Sequence, residues 1–267
     1  MLNSRARYAI QRRAKLLTLL AASVVTSDRA LAACDPTSPV NNATVTCTGT
    51  TIGQNDVAGY GSAGDNNNTY NIQTGATVEG NSFGVRFDAE ATFNNSGTIT
   101  GTNASGIIGS GNNVGTVVTV NNAGTGVISG HIGISVDALA LNNAGQVLGT
   151  GPVEGAINIG RAAAVTNQST GIISGVGFGI DAHDARVTVD NSGAISATGA
   201  IGVAVSGGAL DVINTATGTI SGGLVGIFAD VANVVNAGTI SATAQYSVSS
   251  ATSATASSMT RRAGKCD

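Results

Sequence analysis

The chain has 267 residues, of which 10% are charged and 3% aromatic, with 38 glycines and no tryptophan; globular enzymes of this size ordinarily carry more charged and aromatic groups. Charge is unevenly placed: between Asp35 and Asp230 thirteen carboxylates face only Arg86, Arg161 and Arg186, a net charge near −10 for the body of the chain. A body this acidic excludes nucleic acid as a partner and disfavours an anionic membrane surface.

The first element, residues 1–32, reads as an export signal. A basic stretch ends at Lys15, an apolar run extends from Leu16 to Val25, and Ala30-Leu31-Ala32 supplies small residues for cleavage. The run is too short to span a bilayer as a helix. Leu31-Ala32-Ala33-Cys34 has the form of a lipoprotein box, but Asp28 and Arg29 separate it from the apolar run. Arg12-Arg13 lacks a twin-arginine context, because Lys15 stands where a hydrophobic residue is usual. Cys34 and Cys47 follow, 13 positions apart. In an oxidising compartment they are expected to pair, closing an N-terminal cap over 33–52. A loop of that size contributes about 3 kcal/mol in the chain-entropy picture. Cys266 is left over in a polar tail.

From residue 53 to 245 the chain repeats. Taking Asn71, Asn95, Asn122, Asn143, Asn167, Asn191, Asn214 and Asn236 as equivalent, the successive separations are 24, 27, 21, 24, 24, 23 and 22. A period in this range marks a stacked, quasi-one-dimensional fold. After each Asn comes a short strand with one central aliphatic; the series is Val78, Ile99, Ile128, Leu148, Ile173, Ile195, Ile220 and Ile240. A Gly-aliphatic alternation follows, as in Ile132-Gly133-Ile134 and Phe178-Gly179-Ile180. A period-2 segment such as Val118-Thr119-Val120 or Val187-Thr188-Val189 then leads to the next Asn. An acidic residue recurs between these last two pieces: Asp88, Asp137, Asp184 and Asp230.

Three short strands per 21–27 residues describe one coil, so the expected fold is all-β, a right-handed parallel β-helix of about eight coils. Stacked at the ~4.8 Å strand spacing, eight coils make a rod roughly 40 Å long. The left-handed hexapeptide type does not fit, for want of a six-residue sub-period, and leucine-rich repeats require far more Leu. The Asn column then has a structural role: each amide at an inward turn bonds to the next coil and satisfies polar groups that would otherwise be buried unpaired.

Little is left over for chemistry. Asp181-Ala182-His183-Asp184 is the one charged cluster containing a histidine, and a nucleophile for it would have to be Ser206 or Ser174 of a neighbouring coil. Asp184 otherwise simply continues the turn series, and His131 stands beside Gly130 in a surface turn. The Asp series offers oxygens to Ca²⁺, but Gly207-Gly208 interrupts it and no nine-residue Gly-Asp repeat exists. Thr98/Thr100, Thr219/Ser221 and Thr239/Ser241 resemble a flat ice-binding face, a pattern broken at Val127-Ile128-Ser129 and Val147-Leu148-Gly149. No catalytic residue, metal ligand or cofactor is expected.

The basic signal, the Cys34-Asp35-Pro36 and Val45-Thr46-Cys47-Thr48-Gly49 segments, and the Asn-Ser/Ala-Gly-Thr-Ile-Ser coils together resemble the passenger region of bacterial autotransporters, over positions 1 to about 245. The resemblance implies a right-handed β-helix exported through the inner membrane to the periplasm, cell surface or medium. It further implies a non-enzymatic part in adhesion or virulence, with host surface or extracellular matrix as partner. The family ends in an outer-membrane barrel. Here the last coil gives way at Gln245 to a Ser/Ala/Thr-rich flexible tail over 246–267 without barrel-length strands. The expectation is therefore a truncated passenger, or one served by a separate barrel, with an open last coil prone to end-to-end self-association. The competing expectation is a carbohydrate-active β-helix enzyme, a polysaccharide lyase or hydrolase. Such enzymes need clustered carboxylates or bases and aromatic platforms, which are scarce here.

Overall fold

The computed structural model describes residues 34–109, 116–200, 202–243 and 246–252. The expected export signal, the remainder of the expected tail and Cys266 lie outside the described residues. Every regular element among the described residues is a β-strand.

Two sheets wind about one core. One sheet has nine parallel strands, from Thr50–Ile52 and Thr77–Gly80 at one end to Thr219–Gly222 and Thr239–Ala242 at the other. Each step between neighbours is one turn of the chain, so nine strands make eight turns. The second sheet has fifteen strands and carries the other two pieces of each coil. The chain is thus a parallel β-solenoid, as its period predicts.

Three strands per coil is not the rule throughout. The Gly-aliphatic piece and the following period-2 piece fuse into single strands at Ile132–Asn143, Gly155–Asn167, Val203–Asn214 and Val225–Asn236. They stay apart where a turn intervenes, as between Phe178–Asp181 and Arg186–Asn191, where the Ala185 N–H donates to the Ala182 carbonyl at 2.6 Å. Fused strands take the corner through an irregularity instead: the register shifts between Val136 and Ala138, placing Asp137 at the bulge.

The core follows from period-2 alternation. Thr51, Val78, Ile99, Ile128, Val147, Ile173, Ile195, Ile220 and Ile240 stand opposite one another in register down the nine-stranded sheet, all buried. Each such aliphatic contributes about 1.5–3 kcal/mol on leaving water. One member of the expected series is displaced: Val147, not Leu148, lies opposite Ile128, and Leu148 pairs with the outward Ser129. Two adjacent aliphatics made the inward position ambiguous, and the short turn before them decides it.

The N-terminal coils are filled differently. Tyr70 stacks on Phe93 with ring centroids 4.7 Å apart, Phe87 tilts against Phe93 at 5.5 Å, and Tyr60 meets Tyr70 edge-on at 6.0 Å. Burial pushes both phenols well above the ordinary tyrosine range. Each hydroxyl has a partner: Tyr60 donates to the Pro36 carbonyl at 2.6 Å, and Tyr70 accepts from Asn68 Nδ2 at 3.3 Å.

This end of the stack is closed. Cys34 and Cys47 form a disulfide, and Cys34–Asp35 lies antiparallel on Thr46 and Cys47, covering the edge of Thr44–Cys47. The Gln54 amide bridges the cap in both directions, accepting from Cys34 N at 3.1 Å and donating to Cys34 O at 3.0 Å. Asp65, fully buried, accepts from Ser38 Oγ at 2.6 Å, Val40 N at 2.5 Å and Ser62 N at 2.6 Å. It clasps the entering chain to the first coil. The parallel stack already begins at Thr44, which pairs with Thr69, inside the segment expected to be cap alone.

Candidate functional site

Two asparagine columns run side by side on the fifteen-stranded sheet, one inward and one outward. The inward column is Asn95, Asn122, Asn143, Asn167, Asn191, Asn214 and Asn236, all buried and in register. Each Nδ2 donates to Oδ1 of the next: 2.8 Å for the first three links, then 2.9, 2.8 and 2.7 Å. The second N–H lies between two backbone carbonyls, for Asn122 those of Gly126 and Gln146, each at 3.2 Å. The amides therefore form one directional chain with its donors aimed at the C-terminal end. At the other end Asn95 Oδ1 accepts from Gly97 N at 3.2 Å.

Asn71 is not a member of this column. Ile72 stands opposite Asn95, while Asn71 stands opposite Asn94. In every later coil the inward asparagine is the last residue of its strand. In Tyr70-Asn71-Ile72 the lone Asn precedes that position, so matching by residue type slips the register by one.

Asn71 instead heads the outward column, Asn71, Asn94, Asn121 and Asn142, continued by Thr166, Asp190, Ile213 and Val235. Asn94 Nδ2 donates to Asn71 Oδ1 at 2.9 Å and Asn121 Nδ2 to Asn94 Oδ1 at 3.0 Å. Gln168 Nε2 then donates to Asn142 Oδ1 at 2.6 Å. Asn94, Asn121 and Asn142 each immediately precede an inward asparagine. The doublets Asn94-Asn95, Asn121-Asn122 and Asn142-Asn143 were the signal that two columns exist.

The turns that follow alternate in length. Asn95, Asn143, Asn191 and Asn236 reach their glycine in two residues (Gly97, Gly145, Gly193, Gly238); Asn122, Asn167 and Asn214 take four (Gly126, Gly171, Gly218). Cys47 to Gly49 is again short and Ile72 to Ala76 long, so the alternation holds for nine successive turns. Short and long turns interlock. A Cβ on Gly145 would lie 2.2 Å from Gly126 O and 2.3 Å from Ala123 O, so only glycine nests in the long turn beneath it. In return the long turns after Asn122, Asn167 and Asn214 clasp the short turn before them: Thr125 Oγ1 donates to Ser96 O at 2.8 Å, Thr170 to Ala144 O at 2.7 Å and Thr217 to Ser192 O at 2.8 Å. The unit of the stack is therefore a pair of coils.

Alternation also shapes the surface. Long turns stand out and short turns are recessed, leaving a shallow groove bordered by Asn94, Ser96, Asn121, Ala123, Asn142, Ala144 and Gln168. Among the described residues no charged one lines it.

The histidine cluster assembles, in an order that does not make a nucleophile. Ser206 Oγ donates to Asp181 Oδ1 at 2.8 Å, and His183 Nδ1 lies 3.1 Å from the same oxygen. The carboxylate thus stands between hydroxyl and imidazole, whereas activation of a serine needs the imidazole between them. Ser206 is buried, while the His183 side chain is 72% exposed, with φ of 40°. Ser174 Oγ instead accepts from Ser196 Oγ at 2.9 Å.

The acidic series is likewise distributed. Asp137 Oδ2 pairs with Arg161 Nε at 2.7 Å, and Gly208 stands opposite Asp230 between carboxylate-bearing coils. Among the described residues no three His, Cys, Asp or Glu side chains come together as a metal site would require. The outward pairs of the nine-stranded sheet are hydroxylic at Thr98/Thr100, Thr219/Ser221 and Thr239/Ser241, but Ile52 and Glu79 interrupt them at the N-terminal end and Val127, Gln146, Leu148, Ile172 and Ala194 midway. No protein-family model, no curated protein and no solved structure matches this chain.

Proposed function

We propose that this protein is an exported passenger of the autotransporter type, acting without catalysis in adhesion or as a structural element at the cell surface, with host surface or extracellular matrix as its partner. The observation that carries this reading is the allocation of side chains along the stack. The inward positions go to an aliphatic column and an amide chain, and the glycines and threonines go to interlocking turns. The disulfide-closed cap directly after the expected export signal adds support, since such a crosslink persists where thiols are oxidised. Against a polysaccharide hydrolase stands the setting of Asp181, whose Oδ1 is shared by Ser206 Oγ and His183 Nδ1, whereas glycoside hydrolysis ordinarily needs two carboxyl groups facing each other across the scissile bond.

Expression of the full chain in a Gram-negative host, followed by fractionation and N-terminal sequencing, tests export. The expected product is processed near Ala32, external to the cytoplasm, with Cys34 and Cys47 resistant to alkylation. An unprocessed, reduced chain confined to the cytoplasm refutes export. Hydrolysis or elimination of a polysaccharide that disappears in His183→Ala refutes the non-enzymatic reading.

A further inference from the structure

Amides in the outward column are not required by the fold. Thr166, Asp190, Ile213 and Val235 occupy the same column farther along with the strand register unchanged. The amide-bearing members sit together at one end, beside the recesses at Ser96 and Ala144. Asn71, Asn94 and Asn121 flank the first recess; Asn121, Asn142 and Gln168 flank the second. The side-chain ladder is also broken between them. Asn121 donates toward the N-terminal coil and Asn142 accepts from Gln168, so an amide oxygen of Asn121 and an amide N–H of Asn142 face solvent one coil apart.

We infer that this groove binds a neutral polysaccharide chain, laid along the stack across the two recesses. Amides carry a donor and an acceptor on one planar group, which suits adjacent sugar hydroxyls. The absence of charge in the groove and the thirteen carboxylates of the body select against uronates and sulfated polymers. Short turns recur every second coil, so the recesses lie about 9.6 Å apart, twice the ~4.8 Å strand spacing. One sugar cannot reach both; an oligomer can, and it gains from the second contact as linked sites do. With few aromatics to stack on, each contact is weak and length supplies the affinity. The inference rests on the surface role proposed above by naming what that surface would hold.

The test is calorimetric titration of the full, processed chain with maltohexaose, cellohexaose and mannohexaose, their monosaccharides, and oligogalacturonate. The expected result is binding of at least one neutral hexamer, about tenfold tighter than its monosaccharide, and none of oligogalacturonate. Asn121→Ala combined with Asn142→Ala should weaken it about tenfold, the loss of one or two hydrogen bonds, with thermal stability unchanged. Asn233→Ala, also outward but away from the groove, should leave binding intact. Failure of every neutral hexamer at roughly 10 mM, a preference for oligogalacturonate, or affinity unmoved in the double variant overturns the inference. Export and glycan binding are read separately: an exported chain that binds no neutral hexamer refutes this inference alone, and a cytoplasmic chain that binds one refutes only the surface role.

Discussion

Asn142 and Asn143 are identical neighbours on one strand, and the structure predicts opposite consequences for losing them. Asn143 Oδ1 accepts from Asn122 at 2.8 Å, and its Nδ2 donates to Asn167 Oδ1 at 2.8 Å and approaches Gly145 O and Ile172 O at 3.2 and 3.3 Å. Asn143→Ala therefore strands a buried N–H of Asn122 and the buried Oδ1 of Asn167 together. Each stranded buried group costs about 1–3 kcal/mol, so the variant should lose about 3–5 kcal/mol once the small cavity is included. Asn142→Ala removes one exposed contact with Gln168 and should cost about 0.5 kcal/mol or less. Because stacked repeats need not unfold all together, the assay is native-state hydrogen exchange as well as urea unfolding. Protection should fall at Asn122, Ala144 and Gln168, whose N–H groups span the affected coils. Equal stability of the two variants, or a loss below about 1 kcal/mol for Asn143→Ala, refutes the claim that the inward chain holds the coils in register.

Asp65→Ala removes the shared acceptor of Ser38 Oγ, Val40 N and Ser62 N and should release residues 37–40 to limited proteolysis at a cost of about 3 kcal/mol, with the distal coils unaffected. The Asp211 carboxyl is held below the usual carboxylate range, first by its hydrogen bond from Arg186 and then by that from Asn233. Its small contribution to stability is therefore present above the unfolded carboxylate pKa and lost as pH falls through the folded value. An NMR titration should place Asp211 below an ordinary aspartate, and Arg186→Ala should move it back up. Deleting Ala144–Asn191, two coils and 48 residues, joins Asn143 to Ser192-Gly193 and keeps short and long turns alternating. Deleting Ala144–Asn167, one coil, sets two long turns against each other and leaves Thr170 without its Ala144 acceptor. Circular dichroism and exchange should show the first variant folded, and the second destabilised by at least about 1 kcal/mol at that corner.

The fold was readable because a solenoid repeats its physics. An aliphatic every coil and an asparagine every coil announce inward columns whatever the loops between them do. The two slips, Asn71 for Ile72 and Leu148 for Val147, share one cause. A period-2 strand is defined by parity, and a residue of the right type one position away satisfies the eye but faces the wrong side. The coil lengths of 21 to 27 residues concealed the alternation of turns, since corners elsewhere in the coil absorb or add residues independently. The separation of inward asparagines therefore shows no two-coil rhythm even though the interval from asparagine to glycine does. That interval was visible in the string, but its meaning was not. It needs the knowledge that Gly145 packs on the carbonyls of Ala123 and Gly126 and that Thr170 returns to Ala144, contacts 19 to 26 residues apart in sequence. Once those contacts are known, the outward amides change status. They flank recesses that the alternation itself creates, in a column that tolerates Ile213 and Val235 at one end and carries amides beside the groove at the other.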